Sequence, residues 1–395
     1  MSDLDPYVLA ARQAEIDREA MKRLPALAAR KKQRLTSSPH AFLRGSAPLF
    51  YEILAKRPDL ASGPDDAGWI VGDMHLENVG AYRNDADEVV FGLNDFDDAT
   101  IGPLRCDVLR LSTSVVLASL GLSRTATQGI ALATLLVGAY LQALAGPDVP
   151  HEPRTPEPIV DLIAKVTARG RKQLLDERAP EEHGRRRFVR GDRYLDLPPD
   201  VAARVPALLA AYLHALGDRA PGKASEYRLE DSAFRVAGNG SLGVMRVALL
   251  VRDHAGDERL LELKEARAPS PDALFQAPPG HWTHPGERCV AGARALCAAP
   301  PRLLAAVEAG ELSLYGRRLF PQEDKLDLSA AGALDEIVSY IGHRLGAAHA
   351  RGAAALGLPA PRPWSADEVA LVVDHAVELA GMIAAIYLAY ARRSA

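Results

Sequence analysis

Cysteine is scarce in this sequence, and its spacing excludes two kinds of structural site. The chain of 395 residues has 3 cysteines, Cys106, Cys289 and Cys297, and no Cys-x-x-Cys pair. Disulfide frameworks and thiolate zinc sites both need closely spaced cysteines in larger sets. We therefore expect free thiols and a cytoplasmic protein.

A large excess of basic residues and a long apolar run are also missing. The formal net charge is −4, so the whole chain does not attract nucleic acid or anionic lipid. The N-terminus is polar and acidic, unlike a secretion signal. The apolar run at residues 379–390 is about 12 residues long, short of the ~20 that span a bilayer. We expect no nucleic-acid partner and no membrane partner.

Ordinary globular composition is what remains, with 48% hydrophobic and 25% charged residues. Apolar runs at 69–71 and 89–93 predict two strands, and each leads directly into a cluster of acidic and amide residues. Helical spacing covers residues 1–60 and 106–145, where a break predicts two helices with Ser123 as the cap of the second. Functional loops are therefore expected after both strands.

A second change of period predicts a small antiparallel sheet. Val236, residues 244–251 and residues 260–263 have the composition of three strands joined by turns. The rest of the chain has helical spacing, and Ser365 and Glu368 form a capping box at the start of the last helix.

Two loops carry the strongest chemical signal. Gly-Asp-Met-His-Leu-Glu-Asn at 72–78 and Asn-Asp-Phe-Asp-Asp at 94–98 place carboxylate and amide oxygens directly after predicted strands. Such oxygens suit Mg²⁺. In phosphoryl transfer, one aspartate orients or deprotonates the acceptor hydroxyl, while an asparagine five residues later and a further aspartate hold metal ions. The competing interpretation is that these residues only form turns and helix caps.

Each of these roles in phosphoryl transfer is assigned to one residue of the two loops. Asp73 is placed near the acceptor hydroxyl, Asn78 and Asp95 are predicted metal ligands, and Asp97 is predicted to assist at the metal. The cofactors predicted in this way are ATP and Mg²⁺.

A glycine-rich run separates two of the predicted strands. Residues 238–243 read Gly-Asn-Gly-Ser-Leu-Gly, and a strand follows rather than the helix that a dinucleotide-binding fold requires. Kinases use a strand, a glycine loop and a strand, and a lysine on the third strand contacts the phosphates. Lys264 stands in that context, although a solvent-facing lysine on an edge strand is the alternative. The predicted cofactor contacts are Gly238, Gly240, Ser241, Gly243 and Lys264.

These motifs together resemble the protein-kinase-like superfamily, particularly its aminoglycoside and choline phosphotransferase branch. The catalytic loop of that branch resembles His-Gly-Asp-x-His-x-x-Asn, which Asp73, His75 and Asn78 match, whereas Val71 stands where the branch has histidine. The resemblance implies catalytic roles for Asp73 and His75. It also implies that Asp107 braces the catalytic loop.

Almost the whole chain also resembles the bacterial domain-of-unknown-function family 2252. The resemblance rests on Phe-Leu-Arg-Gly at 42–45, the two acidic loops and Lys-Glu-Ala at 264–266. That family is uncharacterised, so the resemblance implies a fold rather than a substrate.

The order of the motifs is the reverse of an ordinary kinase, because the catalytic loop precedes the glycine run. Residues 341–349 resemble the helix that normally precedes the catalytic loop. We therefore expect an α+β, protein-kinase-like, two-lobe fold that is circularly permuted, with a small antiparallel β lobe and a larger, mainly helical lobe. The expected divisions are a catalytic lobe at 1–225 with an inserted Pro/Arg-rich region, the β lobe at 226–325, and helices completing the large lobe at 326–395.

Two charged residues and one arginine run each have two possible roles. Glu287, near the start of a predicted helix, is the expected acidic partner of Lys264, with Glu265 as the alternative. Arg44 is expected either to contact phosphate or to brace the catalytic lobe. The arginines at 185–193 either form a solvated face or bind an anionic substrate.

We predict an ATP- and Mg²⁺-dependent phosphotransferase acting on a hydroxyl of a small molecule, since the Asp-Phe-Gly to Ala-Pro-Glu pattern of protein kinases is not present. AMP transfer on the same fold and a nucleotide-binding pseudokinase remain open alternatives. A two-metal phosphoesterase built on Asp73 and His75 ranks last, because no second histidine-rich cluster follows. The sequence leaves the acceptor and the oligomeric state open.

Overall fold

Helices occupy both ends of the chain, and antiparallel strands lie between them. The computed structural model describes residues 3–144, 153–220, 226–238, 242–253, 255–276, 280–319, 326, 328 and 333–393. Its helices are α1 (Pro6–Ala20), α2 (Ala28–Leu35), α3 (Pro39–Gly45), α4 (Ala47–Lys56), α5 (Arg105–Gly121), α6 (Ala126–Leu144), α7 (Glu157–Ala168), α8 (Arg171–Arg178), α9 (Pro199–Ala202), α10 (Val205–Leu216), α11 (Pro285–Leu296), α12 (Leu334–Ala354) and α13 (Ala366–Arg392).

The strands form one larger sheet and three short pairs. They are β1 (Ala67–Ile70), β2 (Val79–Arg83), β3 (Val89–Leu93), β4 (Thr100–Pro103), β5 (Glu181–Glu182), β6 (Arg185–Arg186), β7 (Tyr194–Leu195), β8 (Arg228–Arg235), β9 (Arg246–Arg252), β10 (Glu258–Glu265), β11 (Ala305–Ala309) and β12 (Leu312–Arg318). The six-stranded antiparallel sheet has the order β11-β12-β10-β9-β8-β7, and the pairs are β1 with β4, β2 with β3, and β5 with β6. The expectation of a mixed α+β fold with a small antiparallel sheet is confirmed.

Two large hydrophobic clusters underlie this arrangement. One joins the N-terminal helices, α5, α6, α12 and α13. The other fills the space between one face of the sheet and α10, with Tyr212 of α10 and Val247 and Leu263 of the sheet fully buried. Apolar residues between 197 and 220 thus pack on the sheet, although the expected boundary of the β lobe is at residue 226.

Close helix packing places α12 beside α6. Gly342 and Gly346 of α12 face the main chain of α6, where a Cβ would overlap the carbonyl oxygens of Leu136 and Tyr140. Glycines four residues apart lie on one face of a helix, so their lack of a side chain lets the two backbones approach. This contact fixes the position of α12, which carries a residue of the site.

One of the two predicted helix caps is observed and the other is not. Ser365 and Glu368 form the expected capping box of α13. Ser123 does not cap α6; it has a left-handed φ of 59°. Thr125, directly before the helix, accepts from the N–H of Gln128 through its hydroxyl. Ser123 therefore supplies the left-handed residue of the turn between α5 and α6, and Thr125 caps α6.

Helices α6 and α13 are each long and apolar enough to cross a membrane by length and composition alone. Both pack against other helices, and half of the most apolar stretch of α6 is buried inside the fold. Core helices satisfy the same criterion, so this is weak evidence for a membrane span. The absence of a membrane partner stays a prediction.

Candidate functional site

The acidic loops after β1 and β3 meet the six-stranded sheet at a cleft of about 1020 Å³. Its lining includes six predicted site residues: Asp73, His75, Asn78, Asp95, Asp97 and Gly238. Ligand sites in proteins are usually the largest concave pockets, of roughly 300–1,000 Å³. The cleft therefore has the size and the side chains of a binding site.

Asp107 of α5 holds the loop that carries Asp73. Its carboxylate accepts hydrogen bonds from the main-chain N–H groups of Val71, at 2.6 Å, and Gly72, at 2.9 Å. His349 of α12 lies against the same carboxylate, with Nε2 at 3.0 Å from Oδ2, and its Nδ1 is 3.0 Å from the hydroxyl of Tyr140. The expected bracing by Asp107 is thus seen as hydrogen bonds. Sequence analysis did not identify His349 as its partner.

Gly72 lies where the loop at 72–78 touches the loop at 94–98; we name them the catalytic loop and the metal loop after their predicted roles. Its φ is +82°, and a Cβ there would overlap the main-chain oxygen of Asp98. Only glycine adopts this backbone without strain and leaves room for the neighbouring carbonyl. The hydroxyl of Tyr51 donates to the carbonyl oxygen of Gly72 at 2.5 Å, which ties this loop to helix α4.

Asp73 lies at the cleft beside a fully buried arginine. Arg110 of α5 donates through Nε to Oδ1 of Asp73 at 2.9 Å, and its guanidinium stacks on the ring of Phe50. Burial raises the pKa of Asp73 to about 7, against the charge of Arg110, and the neighbouring carboxylates of Asp98 and Asp95 add to the rise. A carboxylate with this pKa is suited to accept a proton near neutral pH. Arg110 was missed in the sequence, although it lies one helical turn after Asp107.

Asn78 presents a buried oxygen without a hydrogen-bond donor. Its amide nitrogen donates to the main-chain oxygens of Asp73, at 2.9 Å, and Asp95, at 3.4 Å. Carbonyl oxygens only accept, so the amide nitrogen faces them and Oδ1 points away. Within the described part of the chain, Oδ1 is buried and has no hydrogen-bond partner. A cation would satisfy it.

The oxygen ligands of Asn78 and Asp95 suit Mg²⁺, which needs few protein ligands, better than they suit a metal ion bound by protein side chains alone. Among the described residues, no group of three or more His, Cys, Asp or Glu is placed to hold a metal ion. Protein-bound Mg²⁺ commonly uses one or two carboxylates, and substrate phosphates and waters complete its shell. Asp95 supplies such a carboxylate, and Asn78 adds its amide oxygen, which has no hydrogen-bond partner within the described residues.

Lys264 of β10 reaches the metal loop from the sheet. Its ammonium lies 2.8 Å from Oδ1 of Asp95 and also contacts Asp97, and its side chain is 3% exposed. Burial alone would raise the pKa of Asp95, but the charges of Lys264 and Arg246 hold it below the usual value. Burial and the charge of Asp95 raise the pKa of Asp97, which accepts from the hydroxyl of Tyr315 at 2.6 Å.

A buried ionic group lies beside Lys264 in the sheet. Glu262 of β10 accepts from Arg246, at 3.1 Å, and from Arg235, and all three side chains are almost completely buried. Burial would raise the pKa of Glu262, yet the two arginines lower it to about 2. Arg246 is also the register partner of Lys264 across β9 and β10. Sequence analysis missed this group.

The expected pairing of Lys264 with Glu287 is not formed. Glu287 accepts from the N–H and the hydroxyl of Thr283, at 2.6 and 3.1 Å, because it closes the first turn of α11. Glu265 turns toward Met245, whose N–H donates to it at 2.9 Å. Within the described residues, the acidic partners of Lys264 are Asp95 and Asp97.

Helix α11 contributes Arg288 to the site instead. This arginine is buried and donates to the main-chain oxygen of Asp97 at 2.7 Å, which fixes the metal loop. Gly238 lines the cleft, and Gly243 has a φ of +100° next to the end of α1. Gly240 and Ser241 lie outside the described residues. His75 lines the cleft, and its Nδ1 accepts from the N–H of Glu77 at 3.1 Å.

Comparison with protein families places most of the chain in a bacterial family. The family model of an uncharacterised protein conserved in bacteria, domain-of-unknown-function family 2252, matches residues 23–395. No curated protein and no solved structure matches the chain.

Proposed function

Because the chain belongs to domain-of-unknown-function family 2252, whose description gives no activity, we propose a function from its own side chains: an ATP- and Mg²⁺-dependent phosphotransferase that phosphorylates a hydroxyl of a small molecule. One observation carries the proposal. Lys264, from the sheet, contacts Asp95 and Asp97, and these two carboxylates line a cleft together with Asp73 and Asn78. These are the charged and amide groups that phosphoryl transfer requires.

The order of elements supports a kinase-like relationship. Strand β8, the glycine-rich run of the sequence, β9 and the lysine strand β10 follow one another, and α11 comes after them. Kinases use this order for the glycine loop, the lysine strand and the αC helix. The catalytic and metal loops precede all of them in the chain, which supports circular permutation.

Each side chain has a role in this proposal. Asp73 takes the proton of the acceptor hydroxyl as its oxygen bonds to the γ-phosphorus and ADP leaves. Arg110 holds the Asp73 carboxylate toward the cleft. Asn78 and Asp95 would hold Mg²⁺, which neutralises charge on the phosphate oxygens when bound. Lys264 would turn from the carboxylates to the phosphates.

Calorimetric titration of ATP, with and without Mg²⁺, tests the nucleotide site. We expect Mg²⁺-dependent binding to the wild type that weakens in Asp95→Ala and in Lys264→Ala. If the wild-type protein does not bind ATP, the proposed phosphotransferase function is excluded. Analysis of the released product separates the alternatives, since phosphoryl transfer gives ADP and AMP transfer gives pyrophosphate. ATP binding without turnover on any acceptor would favour the pseudokinase.

A further inference from the structure

The N-terminal helices bring arginines into the same cleft. Arg30 and Arg34 of α2 and Arg44 of α3 all line it. Arg30 and Arg34 are four residues apart, so they lie on one face of the helix. Arg34 donates to the main-chain oxygen of Gly238, the first residue of the glycine-rich run. The N-terminal segment thus closes one side of the site with cationic groups.

These charges are only partly neutralised by the protein. Arg44 pairs with Glu77 at 2.5 Å, while Arg30 is 3.7 Å from the fully exposed carboxylate of Asp192. Within the described ranges, Arg34 has no carboxylate partner. Burial lowers the pKa of Arg34, and the charges of Arg30 and Arg44 lower it further, as expected of like charges held close together.

Three carboxylates of the cleft are paired with other cations. Asp73 is paired with Arg110, and both Asp95 and Asp97 are paired with Lys264. More arginine and lysine than aspartate and glutamate side chains line the cleft, although the chain as a whole has a net charge of −4. A cleft of this sign attracts anions and repels cationic acceptors.

From this placement we infer that Arg30, Arg34 and Arg44 bind an anionic group of the acceptor, so that the acceptor is a phosphorylated or carboxylated compound with a free hydroxyl. The inference rests on the proposed phosphotransfer. Arginine suits the role, because its planar guanidinium binds phosphate and carboxylate through paired hydrogen bonds. Arg44 also lies within electrostatic range of Asp73. An acceptor held by the arginines would therefore have its hydroxyl near the proposed base.

The anion site can be tested without nucleotide. Phenylglyoxal modifies accessible arginines, and peptide mapping by mass spectrometry gives a rate for each position. We expect inorganic phosphate, compared with chloride at equal ionic strength, to slow modification of Arg34 and Arg44, and this protection to persist when ATP and Mg²⁺ are bound. No protection by phosphate would overturn the anion site. Protection that ATP alone supplies, with nothing added by phosphate, would assign the arginines to the nucleotide and overturn the acceptor role.

Kinetics identify the class of acceptor. Paired compounds are compared by ADP release: a sugar, its phosphate and its carboxylic acid, so that the two kinds of anion are distinguished. We expect turnover with an anionic member. Arg34→Gln should raise KM for that acceptor on the order of tenfold to a hundredfold, the value of one charge-assisted hydrogen bond, and should change KM for ATP by a smaller factor.

The matched control is Lys32→Gln. Lys32 lies on the same helix and carries the same charge, but it is exposed and does not line the cleft. We expect neither KM to change. A preference for an uncharged or cationic acceptor would contradict the inference, as would equal effects of the two substitutions. If the wild type does not bind ATP, the proposed phosphotransferase function is wrong. If phosphate does not protect the arginines, the proposed anion site is wrong. The two failures are therefore distinguishable.

Discussion

The ammonium nitrogen of Lys264 lies 2.8 Å from Oδ1 of Asp95, although 169 positions separate the two residues in the chain. The same ammonium contacts Asp97. The lysine thus occupies the carboxylates that the proposed Mg²⁺ would use. Lysine and metal cannot neutralise the same oxygens at once, so metal binding and movement of Lys264 are coupled.

This coupling predicts opposite effects of one substitution. Lys264→Met should raise affinity for Mg²⁺ alone, by roughly tenfold or more for the loss of a charge-assisted contact, and should lower affinity for ATP with Mg²⁺. Calorimetry with each ligand measures both. Lys264→Arg keeps the charge and is the control for Mg²⁺ affinity. Equal Mg²⁺ affinity in Lys264→Met and wild type would show that the lysine does not compete for the metal site.

Asp73 should affect turnover and not nucleotide binding. Asp73→Asn removes the proton acceptor but keeps the size of the side chain, so we expect ADP release with a working acceptor to fall by roughly 10²–10⁴-fold. ATP affinity, measured by calorimetry, should stay near that of the wild type. A variant that retains full turnover would exclude Asp73 as the base.

Glu262 should make the sheet sensitive to acid. Glu262→Gln leaves two buried guanidinium groups without their counter-charge, which should lower the free energy of unfolding by roughly 3–5 kcal/mol at neutral pH. Urea titration measures this change. Glu230→Gln removes a more exposed partner, that of Arg252, and is expected to have little effect.

The pH dependence of stability follows from the lowered pKa of Glu262. Its folded pKa is about 2, against an ordinary value of 4.5, so the folded state binds this proton less readily than the unfolded state. The stability from the ionised carboxylate is complete above about pH 4.5 and is lost as pH falls toward about 2. Wild-type stability should therefore fall over this range more steeply than that of Glu262→Gln. Parallel curves would contradict the assignment.

The three thiols should resist alkylation in the folded protein. Burial raises the pKa of Cys106 and Cys289 to about 12 and that of Cys297 to about 11. A raised thiol pKa leaves little reactive thiolate at pH 8. Iodoacetamide followed by intact-mass measurement should show no adduct without denaturant and three adducts in urea. Rapid modification of the native protein would show that these side chains are accessible.

Local sequence predicted most of the candidate site because its residues are grouped in short loops. Asp73 and Asn78 share one loop, Asp95 and Asp97 share another, and both loops follow strands with clear apolar patterns. Lys264 was found from its place on a strand after the glycine run. In each case the residues with the chemical groups lie within a few positions of the apolar pattern that predicts the strand.

Partners that come together over long distances could not be read from the sequence. Arg110 and His349 are on helices whose sequences give no sign of what they face, and Arg34 reaches Gly238 across 204 positions. Glu287 was assigned to Lys264 by its location near the start of a helix. Its first-turn position instead turns the carboxylate back to Thr283, a local contact that needs no folding of distant segments. The sheet was likewise predicted by its period, but α10 was not expected to pack on it.

The contact of His349 with Asp107 sets an order on biosynthesis. The two residues are 242 positions apart, so at about 5–20 residues per second the ribosome adds His349 roughly 12–48 s after Asp107. For that interval the nascent catalytic loop lacks the imidazole that completes its brace. The site therefore matures late, and a chain released before α12 would carry every acidic residue of the cleft without the contact that holds Asp107 in place.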